Sequence, residues 1–157
     1  LASAIRARCG MRVTVENDVI AAAVGAARLV EDGRAAGETI AFLNLGTGLA
    51  AGIIRDGELD RGSSNTVGEI GHIPVEPHRW RCACGQVGCL ETAGSGGMAK
   101  TGTPLLDAIR GELRVRGNTS GFINALNLPA RLRLAPTDLP VGAIGAALGA
   151  MHVPAAA

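Results

Sequence analysis

The 157-residue chain is predicted to fold as an α/β domain. Three stretches predict it: an alternating run feeding an alanine-rich helical stretch over 11–30, a β-rich run ending in Gly-Thr-Gly over 39–48, and leucines at helical spacing over 105–116. The length suits one domain, or one lobe of a larger one, burying roughly 68–70% of its surface if it folds alone. The hydrophobic share of 47% is inflated by alanine, and only Phe42, Trp80 and Phe122 could bury a bulky ring. Close helix packing through small side chains is expected instead.

In chain order, "LASAIRARCG" (1–10) reads as the end of a helix, and a chain opening on Leu1 reads as a piece whose beginning is missing. "MRVTVEND" (11–18) alternates like a short strand, after which Asn17 or Asp18 caps the helix "VIAAAVGAARLV" (19–30). "EDGRAAGE" (31–38) interrupts, and "TIAFLNL" (39–45) reads as a buried strand delivering a glycine turn. In "LAAGIIRDGELDRG" (49–62), Asp56-Gly57 between two apolar runs marks a hairpin, because glycine tolerates the positive φ of a tight turn. Residues 63–91 combine glycines, prolines and ligand-type side chains without periodicity, so they should form an ordered loop. "TAGSGGMAKTGTP" (92–104) has a flexible composition and leads to a helix in which Leu105, Leu106, Ile109 and Leu113 share a face. "FINALNLP" (122–129) suggests a short helix, "RLRLA" (131–135) a strand, and "GAIGAALGAM" (142–151) a helix faced with small residues.

With 15 basic and 14 acidic residues the formal charge is +1, which gives no electrostatic reason to expect nucleic acid or an anionic membrane as partner. A small molecule fits better. No apolar stretch approaches the roughly 18–20 residues that span a bilayer, and no secretory leader precedes the first element. Cys82, Cys84 and Cys89 lie close together while Cys9 stands alone, a poor plan for disulfides. Reduced thiols and a cytoplasmic location are expected.

The cysteines belong to "HIPVEPHRWRCACGQVGCLE" (72–91), where a histidine precedes a C-x-C-x4-C cluster. Zinc prefers a closed tetrahedron of nitrogen and sulfur, and His72, Cys82, Cys84 and Cys89 supply one imidazole and three potential thiolates. C-x-C lets two sulfurs reach one ion, and Gly85 and Gly88 let the backbone curl back to bring in Cys89. The bland alternative, small buried cysteines near a satisfied histidine, suits any one of them better than all four. Such a site has no open coordination position, so its zinc would be structural. Pinning His72 would also orient its second ring nitrogen and the segment carrying Glu69 and Glu91. Two carboxylates and an imidazole at fixed positions suit a polyhydroxylated ligand such as a sugar.

Gly46, Thr47 and Gly48 follow a strand, where backbone amides and the Thr47 hydroxyl could cradle a terminal phosphate, although Gly-x-Gly is also ordinary hairpin punctuation. Asp18 reads either as a helix cap or as a general base. As a base it would take the proton from a hydroxyl attacking the γ-phosphoryl group of ATP-Mg2+, with Asn17 orienting that hydroxyl.

Taken together, "ENDVIAAAVG", "LNLGTGLAAGII", "GEIGH" and "CACGQVGCLE" resemble the ROK family of bacterial sugar kinases, metazoan amino-sugar kinases and sugar-responsive repressors, well over about residues 1–97 and loosely beyond. The resemblance implies an actin-like ATPase or hexokinase-type (ribonuclease H-like) lobe, one part of an incomplete two-lobed fold. Residues 1–97 would be its sugar- and zinc-binding core and 98–157 a shortened helical part. It implies Asp18 as base, Asn17, Glu69, His72 and Glu91 as sugar contacts, His72, Cys82, Cys84 and Cys89 as zinc ligands, and Gly46–Gly48 in the ATP phosphate site. The family commonly dimerises. Its Asp-x-Gly-Gly-Thr phosphate loop has no counterpart here, the only Gly-Gly pair being Gly96-Gly97. Ile20 replaces a usual asparagine, Ala50 and Ala51 replace glycines, and "FINALNLPARLRLAP" joins two family segments across a deletion. The resemblance therefore implies a sugar kinase with an impaired ATP site or, alternatively, the sugar-sensing part of a repressor.

Overall fold

The computed structural model describes residues 1–30, 38–76, 80–94, 102–136 and 138–151. Helix α1 (Ala2–Cys9) ends as its sequence suggests, at Gly10 with φ +69°, whose N–H donates to the Arg6 carbonyl. The alternating run that follows is not a strand. Residues 12–17 are irregular and join no sheet, with Met11 and Val15 exposed. Alternation predicts a strand only where a second strand takes up the ladder, and none among the described residues does.

Helix α2 (Asp18–Val30) is capped by Asn17, whose Oδ1 accepts from the N–H groups of Val19 at 2.9 Å and Ile20 at 3.2 Å. It is buried on two faces. Ala23 and Ala27, one turn apart, lie on the sheet, where a Cβ at Gly52 would strike Ala23. Ala21 and Gly25 are offset by two residues, about 200° around the helix, and face the last helix. Alanine and glycine fill both faces because both neighbours approach at backbone distance.

The sheet has three antiparallel strands in the order β1 (Thr39–Leu45), β2 (Leu49–Arg55), β3 (Glu58–Leu59). Gly46–Gly48 closes the first hairpin between the paired Leu45 and Leu49. Asp56 and Gly57 close the second with φ of 53° and 80°, the two positive values of a type I′ turn. Ile40 faces Ile54, and with Phe42 and Leu59 they cover Ala23 and Ala27. β1 is not buried as expected: its residues alternate between half-buried and exposed over 39–44, Leu43 among the exposed, because only one face meets α2.

The loop after β3 runs back along β2. The Ala51 N–H donates to the Gly68 carbonyl at 2.8 Å, and a Cβ at Gly68 or Gly71 would strike the backbone of Ala51 or Leu49. A 3-10 turn (Ile70–His72) and a short helix α3 (Leu90–Gly94) bracket the ligand-rich segment, whose described residues otherwise form loop with two isolated bridges, Pro74 with Cys89 and Arg81 with Val87.

Helix α4 (Gly102–Thr119) half-buries Leu105, Leu106, Ile109 and Leu113. Helix α5 (Gly121–Leu126) is capped by Ser120 Oγ, and Asn127, left-handed at φ 47°, turns the chain into α6 (Leu128–Arg131). "RLRLA" is not a strand: Arg131 ends α6, and the Leu132 carbonyl is taken by the guanidinium groups of Arg110 and Arg133. Helix α7 (Val141–Met151) docks on α2, with Gly145 buried where a Cβ would strike the Ala21 carbonyl. Small residues thus replace ring packing. Of the three aromatic residues, Phe42 lines the core while Trp80 is 50% and Phe122 74% exposed, so those two rings do not supply the burial their size offers. The interruption at 31–38 lies outside the described residues except for Glu38, and so does most of the glycine-rich stretch 92–104. No helix among the described residues is long and apolar enough to cross a membrane.

Candidate metal centre and adjoining carboxylates

Residues 80–90 form a knuckle. The Cys82 N–H donates to the Gln86 carbonyl at 2.8 Å, the Gly85 N–H to the Cys82 carbonyl at 3.0 Å, and the Gly88 N–H to the Trp80 carbonyl at 2.9 Å. Gly85 and Gly88 take the expected positive φ, 95° and 77°, which folds Cys89 back under Cys82 and Cys84. Short bridges pair Arg81 with Val87 and Pro74 with Cys89, and the Leu90 N–H donates to the Ile73 carbonyl, laying the knuckle against the turn that carries His72.

The ligand atoms of His72, Cys82, Cys84 and Cys89 lie within 4.8 Å of one another. Zn–S and Zn–N bonds of about 2.3 and 2.0 Å place neighbouring ligands of a tetrahedron about 3.5–3.8 Å apart. Cys82 Sγ is 3.7 Å from His72 Nδ1, and Cys84 Sγ is 3.7 Å from Cys89 Sγ. The donor set and these separations fit a tetrahedral zinc.

The three thiols differ in acidity. Gln86 holds the Cys84 thiol down, to about 7, through its backbone N–H and its side-chain amide. Burial pushes the Cys89 thiol up. Cys82 is drawn down by the Cys84 N–H, but Glu91, burial and the neighbouring thiols outweigh it and push it up to about 12. Crowded sulfurs cannot all be thiolates without a cation among them.

Gln86 was not singled out from the sequence. Its Nε2 lies 3.5 Å from Cys84 Sγ and 3.4 Å from the His72 carbonyl, tying the knuckle to the turn. Its position inside the C-x-C-x4-C run was the available signal.

Glu91, in the first turn of α3, reaches into the cluster: Oε1 is 3.1 Å from Cys82 Sγ and 3.6 Å from His72 Nδ1. On the other side of the imidazole, Glu69 Oε2 is 3.8 Å from Nε2. The two carboxylates therefore flank one ring, Glu91 largely covered and Glu69 open to solvent. Glu91 also borders the glycine turn, since a Cβ at Gly48 would lie 3.1 Å from Oε2 and one at Gly71 3.3 Å.

Gly46–Gly48 forms a hairpin loop in which the Gly46 N–H donates to the Gly48 carbonyl at 3.0 Å, so that amide is committed within the turn, and Thr47 is exposed at the tip. Asn17 and Asp18 sit at the start of α2. Among the described residues no hydrogen bond or ion pair joins them to Glu69, His72 or Glu91. The next residue, Val19, is the one that nears β2: a Cβ at Gly52 would lie 3.5 Å from the Val19 carbonyl, and the Ala51 N–H beside it donates to the Gly68 carbonyl. Asp18 Oδ1 accepts from the Val19 N–H at 2.9 Å.

The sequence profile of the ROK family matches residues 1–103. The chain belongs to the ROK family. Among ROK relatives, a glucokinase from Streptomyces coelicolor is 40% identical over 92 residues, 59% of this chain and 28% of that protein. A xylose repressor from Caldicellulosiruptor bescii is 35% identical over 95 residues, 60% of this chain and 23% of that protein. The crystal structure of a ROK family glucokinase from Streptomyces griseus in complex with glucose and AMPPNP superimposes with a TM-score of 0.53 at 33% identity, covering 77% of this chain and 35% of that one. The chain thus spans about a third or less of the ROK proteins it matches, and they include both kinases and a repressor.

Proposed function

We propose that the chain is the sugar- and zinc-binding part of a ROK-type sugar kinase, an actin-like or hexokinase-type lobe that transfers the γ-phosphoryl group of ATP to a hydroxyl of a hexose or N-acetylhexosamine. The observation that carries this reading is the convergence of four zinc-type ligands on an imidazole flanked by Glu69 and Glu91. Residues 1–97 form the core of this part and 98–157 a shortened helical appendage, all one domain. The reduced thiol cluster suits the cytoplasm.

His72, Cys82, Cys84 and Cys89 would hold the zinc, which supplies fixed charge and order and leaves no coordination position for a substrate. With His72 Nδ1 turned to the sulfurs, Nε2 and Glu69 are left to face a ligand, and Glu91 offers a second carboxylate. Carboxylates accept from sugar hydroxyls, and their fixed spacing selects which hydroxyls can be met together.

At the α2 terminus Asn17 commits Oδ1 to the helix cap, so Nδ2 is the atom it presents to a hydroxyl. Asp18 commits Oδ1 to the Val19 N–H and offers Oδ2 as proton acceptor. ATP would enter with its Mg2+, its terminal phosphates against the Thr47 turn. That turn would form one part of the phosphate grip, its backbone amides and hydroxyl set against developing negative charge.

The xylose repressor among the relatives supports a second reading, a sugar-sensing domain without chemistry that uses the same carboxylates and imidazole. A coupled assay with ATP-Mg2+ and a panel of hexoses and N-acetylhexosamines separates the two. The kinase reading expects turnover that Asp18→Asn lowers by at least about a hundredfold, general-base catalysis being worth roughly 10²–10⁴. Saturable sugar binding with no turnover in either protein would leave the sensor.

A further inference from the structure

Beyond the residues matched by the family profile, α4, α5 and α6 enclose a groove of about 590 Å3. Its lining is unbalanced in charge: Arg110, Arg114 and Arg133 border it, and no acidic side chain among the described residues does. Two of these guanidinium groups converge, Arg110 Nη2 and Arg133 Nη1 each donating to the Leu132 carbonyl at 2.9 Å. Arg133 Nη1 also donates to the Ala130 carbonyl, but neutral carbonyl oxygens cannot neutralise two cations held that close. The nearest carboxylate, Asp107, lies 3.5 Å from Arg110 Nη1 and is 63% exposed, so solvent screens most of its effect. Arg114 stands one turn along α4 from Arg110 on the same face, with Asn118 a further turn on. Across the groove, Asn124 on α5 and Asn127 at its end add neutral donors and acceptors.

We propose that this groove binds a phosphorylated small molecule, its phosphate between Arg110, Arg114 and Arg133 and its hydroxyl-bearing body against Asn118, Asn124 and Asn127. Planar guanidinium forks match the oxygens of a phosphate, and a dianion relieves the repulsion that neutral carbonyls leave in place. The volume falls in the range of small-molecule sites, roughly 300–1,000 Å3. Amide groups on the opposite wall can donate to and accept from a carbohydrate-like body. The site shares no residue with the metal centre, the glycine turn or the α2 terminus, so it stands or falls independently of the kinase reading.

Isothermal titration of the full chain, zinc retained, with glucose 6-phosphate, glucose and inorganic phosphate as separate probes tests this. Saturable binding of glucose 6-phosphate is expected in the presence of excess glucose, weakening as salt rises. Arg114→Glu should weaken it at least about tenfold with an unchanged melting temperature, because Arg114 makes no hydrogen bond or ion pair within the described structure. Inorganic phosphate alone should bind more weakly. The proposal is overturned by absence of saturable binding of either phosphate, by displacement with excess glucose, or by an Arg114→Glu protein that binds as well as the parent. Loss of binding in Thr47→Ala but not in Arg114→Glu would place the phosphate on the glycine turn and also overturn it.

Discussion

Glu91 is where the candidate metal centre and the glycine turn meet, one oxygen beside Cys82 and His72 and the other beside Gly48. Its neighbour Cys89 is the largest fully buried side chain among the described residues, and burial raises its thiol, so an unliganded Cys89 is a neutral buried sulfur. The two residues should separate metal binding from sugar binding. Cys89→Ser removes a ligand that a hydroxyl does not replace, and bound zinc, read by elemental analysis, should fall from about one equivalent to near zero. Glu91→Gln keeps the shape and all four ligands but loses a charge-assisted acceptor; zinc should stay bound while sugar affinity falls about tenfold by titration calorimetry. If Glu91→Gln loses its zinc as well, the carboxylate belongs to the metal centre and not to a sugar.

Helix α7 carries its own control at the scale of elements. A Cβ at Gly145 meets backbone of α2, which cannot step aside, whereas a Cβ at Gly149 meets nothing within 4 Å. Gly145→Ala should destabilise by about 2 kcal/mol through overpacking, and Gly149→Ala should stabilise by up to about 1 kcal/mol through backbone entropy. Urea denaturation of both reads the difference, and equal effects would mean that α7 does not dock on α2. The irregular segment before α2 is tied down differently, by the ion pair of Glu16 with Arg61. The Arg61 hydrogen bond lowers the Glu16 pKa below its ordinary 4.5, outweighing burial, with a smaller contribution from the Asn17 N–H. A depressed folded-state pKa means the pair stabilises above that ordinary value and the contribution is lost as pH falls through the folded-state pKa. With both partners partly exposed, Glu16→Gln should cost only about 0.5 kcal/mol at neutral pH, and the difference should vanish once the pH has fallen below the folded-state pKa of Glu16. This segment also shows where the sequence stopped being legible. Asp56-Gly57, the glycine turn and the C-x-C-x4-C knuckle were readable because each is decided by a few adjacent residues. "RVTVE" and "RLRLA" were misread because alternation records a half-buried face without naming the neighbouring strand, and Leu132 found guanidinium groups instead. The groove on α4–α6 was invisible because its arginines come together only through the left-handed turn at Asn127.

The core as a whole is short of large side chains. Its buried hydrophobic residues among those described are Ala21, Ala23, Ala26, Ala27, Ala51, Ile54, Cys82 and Cys89. At about 0.8 kcal/mol per buried CH2, an alanine contributes well under half of what a leucine would, so helix and sheet hold together on modest burial. The ligand-rich segment buries only Cys82 and Cys89 among these, leaves Ile73, Val75, Trp80 and Val87 exposed, and is held by turn hydrogen bonds around the four candidate ligands. A structural zinc contributes on the order of 10–16 kcal/mol in small zinc-dependent folds, more than the net stability of an ordinary domain. Removing the proposed zinc should therefore melt one region and spare the other. After chelation, hydrogen exchange should show lost protection at Cys82, Gly85, Gly88 and Leu90, whose N–H groups close the knuckle, while amides of β2 and the centre of α2 keep theirs. Sugar binding should disappear in the same sample and return on adding one equivalent of zinc. Protection falling everywhere alike would make the metal a support of the whole fold, and protection unchanged would mean that the knuckle needs no metal.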